Sequence, residues 1–260
     1  MTELTANLST GLVKLIQAEA VALNAVEVGP WCSVEQIRNY QQQLPGCKFY
    51  FHHSNLIARL KWLPGAETSL QAYLQCTQTP WISFHYSLLP PGYVWLGDKC
   101  GVYLPATNPQ RATRWFVRGV QKIGGHNLPL LIENMPALPT HKYAFETQIE
   151  NIVDILAVTG ASLLLDIAHA RVVASVFDLD VRHYIESLPL GKVRQIHISG
   201  PRVKHGYLYD AHEDLQEEDY QLLQWVLSQS KPEVVTLEYY KDQEKLREQL
   251  IRIQEILAAA

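Results

Sequence analysis

At 260 residues, with 47% apolar and 18% charged side chains, the chain is long and apolar enough to bury a sizeable core. Its formal net charge of −4 argues against a general nucleic-acid binder, although a local basic groove stays open. Cys32, Cys47, Cys76 and Cys100 all fall in the first half without paired close spacing, the pattern of reduced cytosolic thiols rather than a disulfide framework or zinc ribbon. The chain shows no basic-then-apolar leader and no apolar run near the ~20 residues of a membrane span, so a cytoplasmic protein without membrane contact is expected.

In chain order, Leu12 to Leu23 is rich in Ala, Leu, Gln and Lys and predicts a helix. Ala25 to Val28 predicts a short strand, stopped by Gly29-Pro30. Ser33 with Gln36 makes a capping-box pattern that opens a helix, and Pro45-Gly46 closes it. Cys47 to Phe51 is the next strand, ending in His52-His53. Gly65 to Cys76 predicts a helix, and Trp81 to Phe84 a strand ending in His85. The proline-containing stretch Leu89 to Pro109 is long enough for a loop that covers a site. Arg111 to Ile123 is helical up to Gly124-Gly125, and Leu128 to Ile132 is a strand delivering Glu133-Asn134.

Phe145, Ile149, Ile152 and Leu156 recur at helical spacing, and Gly160 stops that helix. The run Leu163-Leu164-Leu165 has the composition of a strand buried on both faces, and it ends in Asp166 with His169 three residues on. A helix is expected next from about Val181 to Ser187, then the strand Val193 to Ile196 ending in His197. A loop from Gly200 to Glu218 carries Asp210-Ala211-His212. A helix over Asp219 to Ser228 precedes the strand Val234 to Leu237, which ends in Glu238. Leu246, Leu250, Ile253 and Leu257 line one face of a final helix.

Repeated alternation of strand and helix, uninterrupted by a linker or repeat, predicts one α/β domain over residues 1–260 with a parallel sheet. An open doubly wound sheet would also satisfy the alternation. Placement of the polar residues favours a TIM-type (β/α) barrel, because only a ring of strands brings so many strand ends to one face. Seven strands are recognisable where a full barrel has eight. The eighth falls in the first ten residues or in Val94 to Leu104, or the barrel is incomplete.

The residues aimed at that face are His52, His85, Glu133, Asp166, His169, His197, Asp210, His212 and Glu238. Each alone has a plain structural explanation. Together, uncompensated carboxylates at one barrel mouth would repel one another and be costly to desolvate, a cost that divalent cations remove. Carboxylates and imidazoles without thiolate suit iron, manganese or zinc. Nine donors exceed the about four to six of one ion, so two or three ions sharing bridging carboxylates is the economical expectation. Strand alternation excludes one of His52 and His53. His126, His141 and His183 are expected to be solvated. His205, with Arg202 and Lys204, either meets an anionic substrate or is simply exposed, and the acidic run from Glu213-Asp214 to Asp219 suits a helix start.

The order of these residues resembles the endonuclease IV type of trinuclear metal barrel in the xylose-isomerase-like superfamily. Its His-x-x-x-Leu segment is similar to His52-His53-Ser54-Asn55-Leu56, which favours His52. The sequence between the ligands is similar to another branch, the multinuclear non-heme iron-dependent oxidases that include the methanobactin-biosynthesis enzyme. The segments concerned are Leu130-Leu131-Ile132-Glu133-Asn134, Leu163-Leu164-Leu165-Asp166, Leu188-Pro189-Leu190, and Val193-Arg194-Gln195-Ile196-His197. The chain departs from that branch at His169, where Asn is usual, and at Pro201, near which a His is usual.

The oxidase resemblance implies iron that oxidises a peptide or small molecule, with Glu133, Asp166 and Glu238 as bridging carboxylates. Family members modify cysteines of ribosomally made peptides, often with a partner protein that presents the peptide. The endonuclease resemblance implies a zinc phosphodiesterase acting on DNA. That role needs basic and intercalating loops, and Lys and Arg are scarce near the ligand loops. A metal-dependent sugar isomerase and a binding module that merely retains its metals are the remaining alternatives.

Overall fold

The computed structural model describes residues 2–53, 66–88, 92–95, 101–104, 108–124, 127–138 and 144–260. In chain order its elements begin with β1 (Glu3–Ala6), α1 (Thr10–Gln17), β2 (Ala25–Val28), α2 (Val34–Gln43), β3 (Lys48–His53), α3 (Ala66–Thr77) and β4 (Ile82–His85). There follow β5 (Gly92–Trp95), β6 (Gly101–Leu104), α4 (Pro109–Gly124), β7 (Leu130–Glu133), α5 (Ile149–Thr159), β8 (Ser162–Asp166), α6 (Ile167–Phe177) and α7 (Val181–Glu186). The chain ends with β9 (Val193–Ile198), β10 (Gly200–Lys204), β11 (Tyr207–Glu213), α8 (Glu217–Gln229), β12 (Val234–Leu237) and α9 (Gln243–Ala259).

Eight strands form one parallel sheet in the order β1-β12-β9-β8-β7-β4-β3-β2. Its two ends meet through a parallel bridge between Asn7 and Glu27 and a 2.8 Å hydrogen bond from the Leu8 N–H to the Glu27 carbonyl. The barrel is therefore nearly closed. The eighth strand is β1, in the first ten residues, whereas β5 and β6 make a separate antiparallel hairpin. The expectation of one long loop from Leu89 to Pro109 is corrected to that extent, and the residues on either side of the hairpin lie outside the described set.

Alternation along the strands divides the side chains between two environments. Outward positions such as Val26, Phe51, Phe84, Ile132, Leu163, Leu165, Ile196 and Val235 join the main apolar cluster, which also takes in residues of the surrounding helices. Inward positions at the lower end form a smaller plug of Ala25, Tyr50, Trp81, Leu131, Leu164 and Val234, with Tyr50 and Trp81 stacked at 5.0 Å. Two residues further along each strand the interior turns polar, with Thr5, Glu27, His52, Ser83, Glu133, Asp166, His197 and Thr236 all buried. A TIM barrel fills its interior in such layers; here the upper ones are built from hydrogen-bonding and titratable groups.

Local signals account for most boundaries. Ser33 and Gln36 form both bonds of the capping box that opens α2. Gly160 ends α5 at φ 69°, a conformation that suits glycine. Helix α1 stops at Gln17, short of the expected Leu23, because Glu19 turns left-handed at φ 54°. Two further expectations need correction. No helix was anticipated directly after Asp166, yet α6 begins there, and the Gly200 to Glu218 loop is largely the hairpin β10–β11. That hairpin turns through His205 and Gly206, both at positive φ. Among the described residues, no helix is long and apolar enough to cross a membrane.

Candidate metal centre

Strand register assembles the site. Parallel pairing sets His85 beside Glu133 and Asp166 beside His197, while Glu238 directly follows β12 and sits next to the same barrel mouth. His52 enters from β3 on the inward face. His53 points the other way and packs edge-on against Phe51, with ring centroids 6.0 Å apart. Asp166 caps α6 by accepting the His169 N–H at 2.7 Å, so a strand end and the helix it starts present both side chains together. Asp210 and His212, two residues apart on β11, reach in from the hairpin. His212 is held at φ 45°, a strained backbone for a non-glycine residue, with its imidazole on Asp210 and Glu238.

All nine predicted residues converge on one region. Glu133 lies at its centre: Oε2 is 3.4 Å from His52 Nε2 and 3.3 Å from His85 Nε2, while Oε1 is 3.4 Å from His169 Nδ1 and 3.7 Å from His197 Nδ1. His197 Nδ1 is also 3.4 Å from Glu238 Oε1. On the hairpin side, His169 Nε2 is 3.7 Å from Asp166 Oδ2 and 3.3 Å from Asp210 Oδ2, which is 3.0 Å from His212 Nε2. Among the described residues, three subsets place ligand atoms close enough to share an ion: His52, His85 and Glu133; Glu133, Asp166 and His169; and Glu27, His197 and Glu238.

Most of these separations exceed a good hydrogen bond. They match instead the about 3.4 Å between two ligand atoms that each lie about 2.1 Å from one tetrahedral ion. Glu133 Oε2, Asp166 Oδ2, His197 Nδ1 and His212 Nδ1 are buried with no hydrogen-bond partner. Buried lone pairs left unpaired are costly, and their convergence fits a metal cluster. Three rings are anchored through one nitrogen each, for His169 the same Nδ1 that lies near Glu133. His52 Nδ1 meets Ser83 Oγ at 3.0 Å, His169 Nδ1 meets the Asn134 carbonyl at 2.8 Å, and His197 Nε2 meets Glu27 Oε2 at 3.1 Å. Anchoring one ring nitrogen and freeing the other is how metal-binding histidines are oriented. Asn134 does more, clasping the Asp166 backbone through both its amide groups.

Within the cluster, burial and neighbouring charges pull the titratable groups in opposite directions. Burial works against ionising Glu133, yet His85, His197 and His52 outweigh it and hold the carboxyl well below its usual range. Burial pushes Asp166 up to about 7, with Asp210, Glu133 and Glu238 adding to the rise. Burial depresses His52 and His85, with the neighbouring imidazoles adding to the fall, despite the opposing Glu133. For His169 and His197 the neighbouring carboxylates overcome burial and raise the rings well above the ordinary imidazole value. Cations placed among these groups would relieve both the repulsion and the unmatched protonation.

Above the cluster opens a cavity of about 480 Å³, lined by His52, His85, His169, Asp210, His212 and Glu238 on one side and Leu8, Trp31 and Tyr240 on another. Trp31 and Tyr240 are exposed at its rim. His183 and His205 are exposed on the surface, away from the cavity lining, and His126 and His141 lie outside the described residues.

Four supporting residues were not anticipated: Asn7, which donates to Glu238 Oε1 at 3.2 Å, together with Ser83, Glu27 and Gln195. Glu27 did carry a signal, being a lone carboxylate in the otherwise apolar strand Ala25-Val26-Glu27-Val28. The others are small polar residues that only their neighbours distinguish.

Solved structures share this architecture at low identity. A xylose isomerase domain containing protein from Salmonella typhimurium matches with a TM-score of 0.67 at 15% identity, over 98% of this chain and 97% of its own. An AP endonuclease, family 2, from Brucella melitensis matches with a TM-score of 0.59 at 16% identity, over 95% and 96%. The fold is that of the xylose-isomerase-like TIM barrels. Within that class, residues 65–259, about three quarters of the chain, match the model of the RiPP precursor modification enzymes MbnB/TglH/ChrH, and the chain belongs to that family. A UPF0276 protein of Bordetella pertussis is 30% identical over 116 residues, which is 42% of this chain and 40% of the relative's length.

Proposed function

We propose that this chain is a metal-dependent oxidase whose barrel mouth holds two or three ions, iron foremost, and acts on a peptide or small molecule. The observation that carries the proposal is Glu133, with different histidines on its two carboxylate oxygens and buried, unpaired donor atoms around it. Iron bound there would supply the electron-transfer and dioxygen chemistry that these side chains lack. His52, His85, Glu133, His197 and Glu238 would hold the ions there. Asp166 offers only Oδ2, since Oδ1 caps α6. The family's description names precursors of RiPPs as what its members modify. On that basis the proposed substrate is a peptide, with a partner protein to present it, entering past Trp31 and Tyr240.

One observation favours a second reading. His169 stands beside Asp210 and His212, completing a third donor group of the kind expected for a zinc phosphodiesterase. Anaerobic purification followed by metal analysis separates the two. Two or more irons per chain, with dioxygen uptake, support the oxidase. Zinc together with cleavage of abasic DNA replaces it with the phosphodiesterase. In either case Asp166→Ala and His212→Ala should each lower metal content while far-ultraviolet circular dichroism stays unchanged. Full loading in both variants would remove these residues from the ligand set.

A further inference from the structure

Below the cluster runs a buried chain of hydrogen bonds that ends on one of its rings. Trp81 Nε1–H donates to Gln195 Oε1 at 3.0 Å. An indole N–H can only donate, so this contact sets which way the Gln195 amide faces. The Gln195 nitrogen then spends its two hydrogens on Glu27 Oε2, at 2.6 Å, and on Thr236 Oγ1, at 2.9 Å. It has none left for His197 Nε2, 3.1 Å away, so that ring nitrogen carries its own hydrogen and gives it to Glu27 Oε2 at 3.1 Å. His197 Nδ1 is then the nitrogen left facing the cluster, and an ion bound there would displace any proton it holds. This Nδ1 has no hydrogen-bond partner and lies 3.4 Å from Glu238 Oε1 and 3.7 Å from Glu133 Oε1.

We infer that Glu27 is a positioning residue: it holds His197 by Nε2 so that the Nδ1 lone pair faces the metal centre, and Gln195, locked by Trp81, holds Glu27 in turn. Glu27 lies near enough to His197 and Glu238 to pass for a third ligand of one ion. The Gln195 nitrogen argues otherwise. It sits within hydrogen-bond reach of both Glu27 Oε2 and His197 Nε2, so a hydrogen-bond donor occupies the place where an ion between those two atoms would lie, and the unpaired Glu27 Oε1 is the one atom through which Glu27 could still act as a ligand. An acceptor behind a metal-binding imidazole fixes its tautomer and raises its basicity, and losing such an acceptor typically weakens metal binding about 10- to 100-fold.

The inference rests on the metal reading proposed above, and its test keeps the two apart. Wild type, Glu27→Ala and Glu27→Gln would be loaded anaerobically with excess Fe(II) and then challenged with increasing chelator. The expected result is an equal number of ions in all three at saturation. Glu27→Ala should then lose one ion at about 10- to 100-fold lower chelator, and Glu27→Gln, which keeps an oxygen for His197, should recover most of that loss. One ion fewer at saturation in both variants would make Glu27 a ligand and overturn the inference. A lowered melting temperature with wild-type chelator resistance would reduce Glu27 to a packing role and overturn it too. If wild type takes up no metal, the metal reading falls and the inference with it. If wild type loads and the variants match it, only the inference falls.

Discussion

His52 and His53 are adjacent in sequence and both buried, yet the fold gives them opposite environments, and that difference can be measured. His53 lies outside the cluster. Burial lowers its ring from 6.5 to about 4, with His85 contributing to the fall. The unfolded chain therefore takes up this proton below about pH 6.5, while the folded chain does so only near pH 4. Stability from the neutral ring is complete above pH 6.5 and is lost as the pH falls toward 4. At about 1.36 kcal/mol per pH unit, the displacement corresponds to at most about 3.4 kcal/mol. Urea denaturation of wild type and His53→Gln at intervals from pH 7.5 to 4 should show the variant's stability falling less steeply, by up to one proton's worth. The cluster is present in both proteins, so the difference between the profiles reads the His53 ring together with its coupling to His52 and His85. Metal content should stay at the wild-type level in His53→Gln and drop in His52→Gln. Parallel pH profiles, or metal loss in the His53 variant, would refute the assignment of the two faces.

Two other perturbations probe how the fold supports the site. A Cβ at Gly200 would lie 2.3 Å from the Asp214 carbonyl and 2.6 Å from that of Glu213, both backbone atoms. Gly200→Ala should therefore displace the β10–β11 hairpin, costing about 1–3 kcal/mol, and should reduce metal content although no ligand is altered; unchanged metal content would show that the hairpin is not what aims Asp210 and His212. Asp219 is buried, pairs with Arg171, and accepts the Gln216 N–H at 2.7 Å. Asp219→Ala should lower stability in urea by about 3–5 kcal/mol, with Asp219→Asn milder because it keeps the cap, and equal losses would assign the effect to the ion pair alone.

Much of the fold was legible from local chemistry. The Ser33–Gln36 capping box, the αL glycine at Gly160 and the triple leucine of β8 each act within a few residues, and each appears where the sequence indicated. Helix α6 is hard to read from sequence because Asp166 both ends β8 and caps the helix, leaving no loop residues between them. Strand β1 was hard to see because its four residues, Glu3 to Ala6, show little pattern of their own. They are strand because β12 pairs with them through all four positions. The hairpin around Asp210 reads as a loop in sequence because its residues are polar and half-exposed, and its pairing is between strands that pack little core.

What the sequence determined on its own is the inventory and its ordering: alternating strands and helices, polar residues at strand ends, and a donor set of carboxylates and imidazoles suited to metal. Those follow from periodicity and side-chain chemistry, which are local. Tertiary structure decided which atoms meet. Only the parallel register sets His85 beside Glu133 and Asp166 beside His197, and only closure at Asn7 and Glu27 brings Glu27 under His197. Whether a buried Glu serves as ligand, bridge or support depends on which donors surround it. The donors to Glu27 (Gln195 and His197), and the Trp81 and Thr236 that fix Gln195, come from segments far apart in the chain, so no short window of sequence contains them.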